Sequence, residues 1–221
     1  MHPLLNDIRL VAFDLDGTLI DSVPDLAAAV DAMLADLSLA PAGETAVRDW
    51  VGNGSHQLVA RALQAGLGTT PDPAMLERAH ERFLYHYHQA PCVRTRVYPG
   101  VVEALSALCS RSVIVTLVTN KPQAFIAPIL TALSLDDYFR ATLGGDSLAE
   151  KKPHPAPLLH LAARFDVAPV NCLMVGDSRH DVEAGKRAGF RTLAVPYGYN
   201  HGEPVASSQP DGVVESLGEL V

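Results

Sequence analysis

A short apolar run that breaks abruptly into two acidic residues is the feature that most restricts how this chain can fold. Residues 10–13 are apolar and typical of a buried strand, and Asp14 and Asp16 follow them directly. Gly17 gives the backbone freedom to leave the strand, and Thr18 supplies a hydroxyl that can fix the turn. Two carboxylates this close together repel each other, so such a pair commonly binds a cation or shares a proton. A solvated turn after a strand is the alternative interpretation.

The composition is that of an ordinary globular protein and argues against several kinds of partner. The chain has 221 residues, of which 48% are hydrophobic and 19% charged, which suits one large domain or a domain with an insertion. A formal charge of −8 argues against binding to nucleic acid. No apolar run approaches the ~20 residues of a membrane span, and we expect a cytoplasmic protein with no membrane partner. The three cysteines predict reduced thiols, with Cys109 and Cys172 packed in the core.

Residues 22–95 show only helical and loop patterns. Ser22 can cap a helix, with Asp25 three residues later completing a capping box, and this helix is predicted to run to about Leu37. Further helices are predicted near residues 45–50 and 56–65, and one more begins at Pro73. No strand is predicted in this part of the chain.

From residue 98 onward, strands and helices alternate. Strands are predicted at residues 113–118, 141–143, 172–175, 191–195 and 213–214, with helices between them. This alternation predicts an α/β fold in which a doubly wound, Rossmann-like parallel sheet has helices on both faces. The first strand belongs to the same sheet by its character. We therefore expect a core formed by residues 1–20 and 97–221, with residues 21–96 inserted as an all-helical cap.

Polar residues follow the predicted strands of this core. Ligands of open parallel sheets bind just beyond the carboxyl ends of the strands. The residues found there are Asp14, Asp16, Thr119, Asn120, Lys152 and Asp177. Acids in such a group suit Mg²⁺, and one of them can attack phosphorus as a nucleophile while another transfers protons. A lysine and a hydroxyl can stabilise the phosphoryl charge, so the set predicts phosphoryl transfer to an aspartate.

Four motifs carry a family resemblance. They are Phe13-Asp14-Leu15-Asp16-Gly17-Thr18, Val118-Thr119-Asn120, Lys152-Pro153 and Gly176-Asp177-Ser178-Arg179-His180-Asp181. Over nearly its whole length the chain resembles the haloacid dehalogenase superfamily, on the branch of the phosphoglycolate phosphatases. Narrower similarity to that branch comes from residues 51–54, Asn120-Lys121-Pro122, residues 151–155 and residues 197–203.

The resemblance implies a role for each matched residue. Asp14 is expected to be the nucleophile and Asp16 the general acid and base, while Thr119 and Lys152 hold the phosphoryl group. Asn120 is expected beside them in the substrate site. Lys151 competes with Lys152 for one role, and the motif selects Lys152.

The resemblance also implies a Mg²⁺ site. Its expected ligands are the side chains of Asp14 and Asp177 and the backbone carbonyl of Asp16. Asp181 is expected outside the ligand set, where it steadies Lys152 or a metal-bound water. A plain helix N-terminal acid, favoured by the helix dipole, is the alternative interpretation of Asp181.

The cap offers one candidate for substrate recognition. The amides of Gly52, Asn53 and Gly54 precede a predicted helix and are suited to an anion, and a plain helix start is the alternative interpretation of this loop. Arg48 and His56 lie nearby in the sequence, and each is either a surface charge or a cation for the substrate.

These observations favour a Mg²⁺-dependent phosphomonoester hydrolase that forms an aspartyl-phosphate. The expected reaction converts 2-phosphoglycolate, a small phosphorylated metabolite, to glycolate and phosphate, in a monomer or a homodimer. A phosphosugar phosphatase or phosphosugar mutase of the same superfamily is the alternative enzyme. Asp16 argues against a halide-removing relative, and the absence of lysine from residues 22–97 argues against a phosphonate-cleaving one. The alternative outside enzymes is a regulatory module phosphorylated on Asp14.

Overall fold

The computed structural model describes residues 2–221, and its main element is a six-stranded parallel sheet. The strands in chain order are β1 (Leu10–Phe13), β2 (Ile20–Asp21), β3 (Arg96–Val97), β4 (Ile114–Val118), β5 (Ala141–Leu143), β6 (Cys172–Gly176), β7 (Arg191–Ala194) and β8 (Gly212–Val213). The large sheet has the order β5-β4-β1-β6-β7-β8, and every pair in it is parallel. The predicted doubly wound α/β fold is confirmed.

Eight helices surround the two sheets in the part of the chain that the structure describes. They are α1 (Val23–Asp36), α2 (Gly43–Trp50), α3 (Ser55–Leu67), α4 (Pro73–Gln89), α5 (Val101–Ser110), α6 (Ile126–Ala132), α7 (Ala156–Arg164) and α8 (Arg179–Ala188). The order predicted from the sequence is confirmed, with small differences in where helices begin and end. Among the described residues, none of the helices combines the length and the apolar character that a membrane span requires.

The central strand β1 is buried on both faces. Val11 and Phe13 belong to an apolar cluster on one face of the sheet, and Leu10 and Ala12 belong to another cluster on the opposite face. This double burial explains why the strand is apolar throughout instead of alternating with polar residues. Because β1 lies between β4 and β6, the sheet reverses its winding direction beside β1, which is where such sheets bind ligands.

The four helices α1–α4 lie between two short strands that the sequence did not predict. β2 and β3 pair antiparallel, with Ile20 opposite Val97 and Asp21 opposite Arg96. The chain therefore leaves the large sheet and returns to it through neighbouring strands. Apolar side chains of α1–α4 continue one of the clusters on the sheet. The division into a core and a cap at residues 21–96 stays a prediction.

The predicted capping box at the start of α1 is wrong. The Ser22 hydroxyl makes no cap hydrogen bond and instead donates to Asp16 Oδ1 at 2.6 Å. The Asp25 carboxylate accepts hydrogen bonds from the backbone amides of residues 93–95 and from the Thr95 hydroxyl. Burial alone would raise the pKa of Asp25, but these hydrogen bonds hold that pKa below its usual range. Tertiary partners have replaced the local ones in both cases.

The cysteines agree with the sequence prediction in part. All three are free thiols, and Cys172 is buried in β6 as expected. Cys109 is exposed, which contradicts its predicted place in the core. It lies in the last turn of α5, where its thiol is near the backbone carbonyl of Tyr138.

Candidate active site

A small cavity of about 40 Å³ lies beyond the carboxyl ends of β1, β4 and β6. The segments that follow the strands contribute most of its polar lining, which includes Asp14, Asp16, Thr119, Asn120, Lys121, Lys152, Ser178, His180 and Asp181. Helices α1, α3 and α4 contribute apolar and aromatic side chains, which include Leu26, Leu58, Phe83 and Tyr87. Five of the six polar residues predicted at the strand ends therefore meet in one cavity, and the sixth, Asp177, lies beside it.

Three buried carboxylates converge at this edge of the sheet. Asp14, Asp177 and Asp181 each place an oxygen within 4.8 Å of the others. Burial raises the pKa of Asp14 to about 6, and burial together with the charges of Asp14 and Asp181 raises the pKa of Asp177 well above its usual range. The cluster is therefore short of positive charge. Its oxygen donors and its negative charge fit a hard divalent cation such as Mg²⁺.

The Asp177 carboxylate is held from two sides. Its Oδ1 accepts from the Thr18 hydroxyl at 2.7 Å, and its Oδ2 accepts from the Tyr199 amide at 2.5 Å. Gly17, with φ +92°, passes so close that a Cβ there would lie 2.4 Å from Asp177 Oδ2. The glycine and the threonine of the first motif therefore fix an acid that follows a different strand.

Lys152 is the cation inside the carboxylate cluster. Its Nζ lies 2.7 Å from Asp14 Oδ1 and 2.6 Å from Asp181 Oδ1. Burial would lower the pKa of Lys152, but the charges of these two carboxylates outweigh burial and raise it. The second oxygen of Asp181 accepts from the amide and the hydroxyl of Ser178. Asp181 therefore caps α8 and also contacts Lys152, and its place outside the metal-ligand set stays a prediction.

The Asp16 carboxylate has partners of its own. Both of its oxygens lie 3.1 Å from Lys121 Nζ, and Ser22 donates to one of them. Burial would lower the pKa of Lys121, but the charge of Asp16 raises it instead. The two acids of the first motif are thus paired with two different buried lysines.

Thr119 and Asn120 follow β4 but contribute differently. The Thr119 hydroxyl accepts from the Lys121 amide at 3.2 Å, so its own proton is available to a phosphoryl oxygen. The side-chain amide nitrogen of Asn120, Nδ2, donates to the backbone carbonyls of Gly52 and Lys152, both at 3.0 Å. Both side-chain hydrogens of Asn120 therefore join the loop of Lys152 to the loop at residues 52–54, and direct contact of Asn120 with substrate stays a prediction.

The loop at residues 52–54 lies against the core. Gly52 and Gly54 line the cavity. The Asn53 side chain is held by His180 Nε2 at 2.6 Å and by Arg61, which donates to its oxygen at 2.7 Å. Lys151 is exposed and donates to the Asn53 carbonyl at 3.1 Å. The structure shows this loop tied to the loops that follow the strands, through Asn120 and Lys151, whereas binding of substrate by its amides stays a prediction.

Arg48 and His56 do not line the cavity. Arg48 pairs with Asp21 at 3.1 Å, and His56 pairs with Glu77 at 2.9 Å. The idea that either residue supplies a cation to the substrate is therefore not supported by the structure.

Sequence reasoning missed three residues of the cavity: Lys121, Tyr87 and His180. Tyr87 lies on α4 with the spacing of an ordinary core residue, yet its buried hydroxyl makes no hydrogen bond of ordinary geometry among the described residues. Burial lowers the pKa of His180 to about 4, so this imidazole is neutral at pH 7 and can accept from Asn53. Lys121 and His180 stand inside matched motifs, and that position was the one signal pointing to them.

Comparisons with known proteins agree with this geometry. The family model described as haloacid dehalogenase-like hydrolase matches residues 8–189. The chain is 46% identical to the phosphoglycolate phosphatase of Nitrosococcus oceani over 98% of this chain and 96% of that protein. It is 48% identical to the phosphoglycolate phosphatase of Pseudomonas putida over 96% of this chain and 78% of that protein.

A solved crystal structure is also similar to this chain in its three-dimensional fold. The crystal structure of a protein from Haemophilus somnus, called a predicted phosphoglycolate phosphatase, matches with a TM-score of 0.92 and 38% identity. The match covers 97% of this chain and 96% of that one. On the sequence and the fold together, the chain belongs to the haloacid dehalogenase-like hydrolases, and within them to the phosphoglycolate phosphatase family.

Proposed function

We propose that this enzyme hydrolyses phosphate monoesters through an aspartyl-phosphate formed on Asp14. The observation that carries the proposal is the cluster of Asp14, Asp177 and Asp181, in which Asp14 and Asp181 contact the ammonium of Lys152. Three buried acids and one buried cation are costly to fold, and a reaction centre for a charged substrate accounts for them.

The first chemical step transfers the phosphoryl group. An oxygen of Asp14 attacks phosphorus, and the bond from phosphorus to the ester oxygen breaks. Asp16 gives a proton to that departing oxygen, which leaves as an alcohol. Lys152 and the Thr119 hydroxyl stabilise the phosphoryl oxygens during the transfer.

The second step releases phosphate. Asp16, now ionised, takes a proton from water, and the water oxygen attacks phosphorus. The bond from phosphorus to the Asp14 oxygen breaks, so free Asp14 and inorganic phosphate result. Lys121 and Ser22 hold the Asp16 carboxylate in place for both proton transfers.

Mg²⁺ is the proposed cofactor. Asp14 and Asp177 would hold it through their side chains and Asp16 through its backbone carbonyl, with Asp181 steadying Lys152. When bound, the ion neutralises phosphoryl charge during the reaction. The raised pKa values of Asp14 and Asp177 support this assignment, since a cation between them would stabilise both carboxylates and offset the effect of burial.

The proposed substrate is 2-phosphoglycolate. The names of the relatives from Nitrosococcus oceani and Pseudomonas putida suggest it, and the small cavity suits a substrate of few atoms. We further propose that residues 21–96 act as a cap that excludes water from the site. A cytoplasmic location and a monomeric or homodimeric state stay predictions.

Initial rates of phosphate release test the proposal. The purified protein is assayed with and without Mg²⁺ on 2-phosphoglycolate, several sugar phosphates and p-nitrophenyl phosphate. We expect 2-phosphoglycolate to have the highest kcat/KM and EDTA to abolish turnover. Preference for a sugar phosphate would support a phosphosugar phosphatase, and isomerised product without net phosphate release would support a mutase. Labelling of Asp14 with no turnover would support the regulatory module.

A further inference from the structure

The cavity holds two buried lysines, and the proposed reaction accounts fully for one of them. Lys152 contacts Asp14 and would bind the phosphoryl group. Lys121 has a side chain only 3% exposed, and it faces Asp16. Burying an ammonium costs free energy that a single ion pair does not always recover, so a second role for Lys121 is worth seeking.

Lys121 is the one cation left for a second negative group of the substrate. Among the described residues that line the cavity, the positive side chains are Lys121 and Lys152. His180 also lines it, but burial keeps that imidazole neutral at pH 7. A substrate that carries both a phosphate and another acid therefore has to place the other acid near Lys121.

A second observation points to the same place. Tyr87 is 1% exposed and lines the cavity, and its hydroxyl has no hydrogen-bond partner among the described residues. The ammonium of Lys121 lies 4.7 Å from the centre of the Tyr87 ring. A buried hydroxyl without a partner is costly, and burial raises the pKa of Tyr87 to about 12, so its proton is available at neutral pH.

The proton transfer by Asp16 determines where the substrate carboxylate lies relative to Lys121. Asp16 has to lie beside the ester oxygen in order to protonate it. In the phosphate ester of a 2-hydroxy acid, the carbon that bears this oxygen also bears the carboxylate. The carboxylate must then lie next to Asp16, and the cation in contact with both oxygens of Asp16 is Lys121.

We propose that the ammonium of Lys121 and the hydroxyl of Tyr87 form a subsite for a substrate carboxylate. The proposal rests on the proposed function, and it assigns the substrate class as phosphate monoesters of small 2-hydroxy acids. Lys121 follows β4 in the core, whereas Tyr87 belongs to α4 among the cap helices. A carboxylate bound between them joins the two parts of the molecule, so the correct substrate itself completes the site.

Tyr87→Phe is the sharpest test because it removes one buried oxygen and leaves the ring and Lys121 in place. The two substrates compared are 2-phosphoglycolate and 2-hydroxyethyl phosphate, which has the same length but a neutral end. We expect kcat/KM for 2-phosphoglycolate to fall about 10-fold, mostly through KM, as expected for one hydrogen bond to a charged group. The value for 2-hydroxyethyl phosphate should change less than about 2-fold.

Lys121→Met and Lys121→Arg extend the test to the cation. Lys121→Met should lower the preference for 2-phosphoglycolate over 2-hydroxyethyl phosphate by about 30-fold or more, and Lys121→Arg should restore part of it. Equal loss on both substrates would show that Lys121 acts only by positioning Asp16, which overturns the subsite. A wild-type enzyme that hydrolyses both esters equally well would also overturn it and would leave the hydrolase reaction standing.

Binding measurements test the Lys121–Tyr87 subsite independently of the proposed reaction. Calorimetry on Asp14→Asn protein measures affinity for 2-phosphoglycolate without turnover. Adding Tyr87→Phe should weaken this binding about 10-fold and leave binding of 2-hydroxyethyl phosphate unchanged. That result would support the subsite even if the wild-type enzyme released no phosphate. Equal affinities with and without the hydroxyl would overturn it.

Discussion

The two walls of the cavity are built on different physical principles. The wall formed by the sheet is polar, and its acids and lysines are fixed by short hydrogen bonds to one another and to neighbouring loops. The wall formed by α1, α3 and α4 is mostly apolar, and it offers a buried hydroxyl and a glycine loop. The first wall can stabilise charge without rearranging, whereas the second can change its shape at little electrostatic cost.

Because of this difference, the two walls suit different parts of the substrate. A rigid polar wall suits the phosphoryl group, which is the same in every substrate of this class. An apolar wall with few polar groups suits selection among the remaining parts of those substrates. We therefore expect changes to Asp14 and Lys152, the sheet-wall residues assigned to the phosphoryl group, to affect all esters alike.

The largest effect is expected for Asp14→Asn. An amide does not attack phosphorus effectively, so turnover of every ester should fall by more than about 1,000-fold. Because the raised pKa of Asp14 means that its charge is costly in the fold, the metal-free variant should melt at the same temperature or higher. Phosphate release and thermal melting measure the two outcomes. Retention of more than about a hundredth of the rate would contradict the nucleophile.

Neighbouring lysines provide a matched pair for the next test. Lys152→Met should lower the rate at least about 100-fold on every ester and lower the melting temperature, because Asp14 and Asp181 lose their cation. Lys151→Met removes one exposed hydrogen bond to Asn53 and should change the rate less than about 3-fold. Assays at temperatures where circular dichroism shows both variants folded complete the comparison. Similar losses in both would contradict the assignment of the phosphoryl contact to Lys152.

Asp16→Asn should distinguish substrates by their leaving groups. An alkyl phosphate needs a proton on its departing oxygen, so its transfer to Asp14 should slow by about 100-fold. p-Nitrophenolate leaves readily without a proton, and its transfer should slow much less. Burst-phase measurements of the first transfer show the difference. If both transfers slow equally, Asp16 is not the acid.

Gly54→Ala addresses the wall formed by the helices and has the smallest expected effect. Gly54 has φ +90°, and a Cβ there would lie 3.1 Å from Lys151 Nζ and 3.2 Å from the Asn120 carbonyl. The strain should loosen the contact between the loop and the core and lower kcat/KM about 10-fold for 2-phosphoglycolate and 2-hydroxyethyl phosphate alike. A loss confined to 2-phosphoglycolate would instead move carboxylate recognition to the amides of this loop.

The sequence predicts the sheet wall well for a physical reason. Each of β1, β4 and β6 is an apolar run followed at once by a polar group, and parallel strands bring such groups to one edge. Asp14, Thr119 and Asp177 could be placed there from local pattern alone. The helices can be predicted equally well from the sequence, because the spacing of their apolar residues is also a local pattern.

The remaining features depend on tertiary contacts that a local pattern does not contain. Ser22 and Asp25 look like a helix cap in the sequence, but each finds a stronger partner elsewhere in the fold. Tyr87 has the spacing of an ordinary core residue, and nothing in that spacing shows that its hydroxyl ends without a partner. β2 and β3 are two residues long and are strands only because they pair with each other.

The central place of β1 also determines when the site can form during synthesis. Leu10 is made early, but its partners in the sheet are Ile114 and Cys172, so neither side of the strand can pair until much of the chain exists. The helices α1–α4 leave the ribosome first and can form from local contacts. Asp177 and Asp181 arrive last. The mutually repelling carboxylates therefore meet only when the rest of the sheet is present to hold them together.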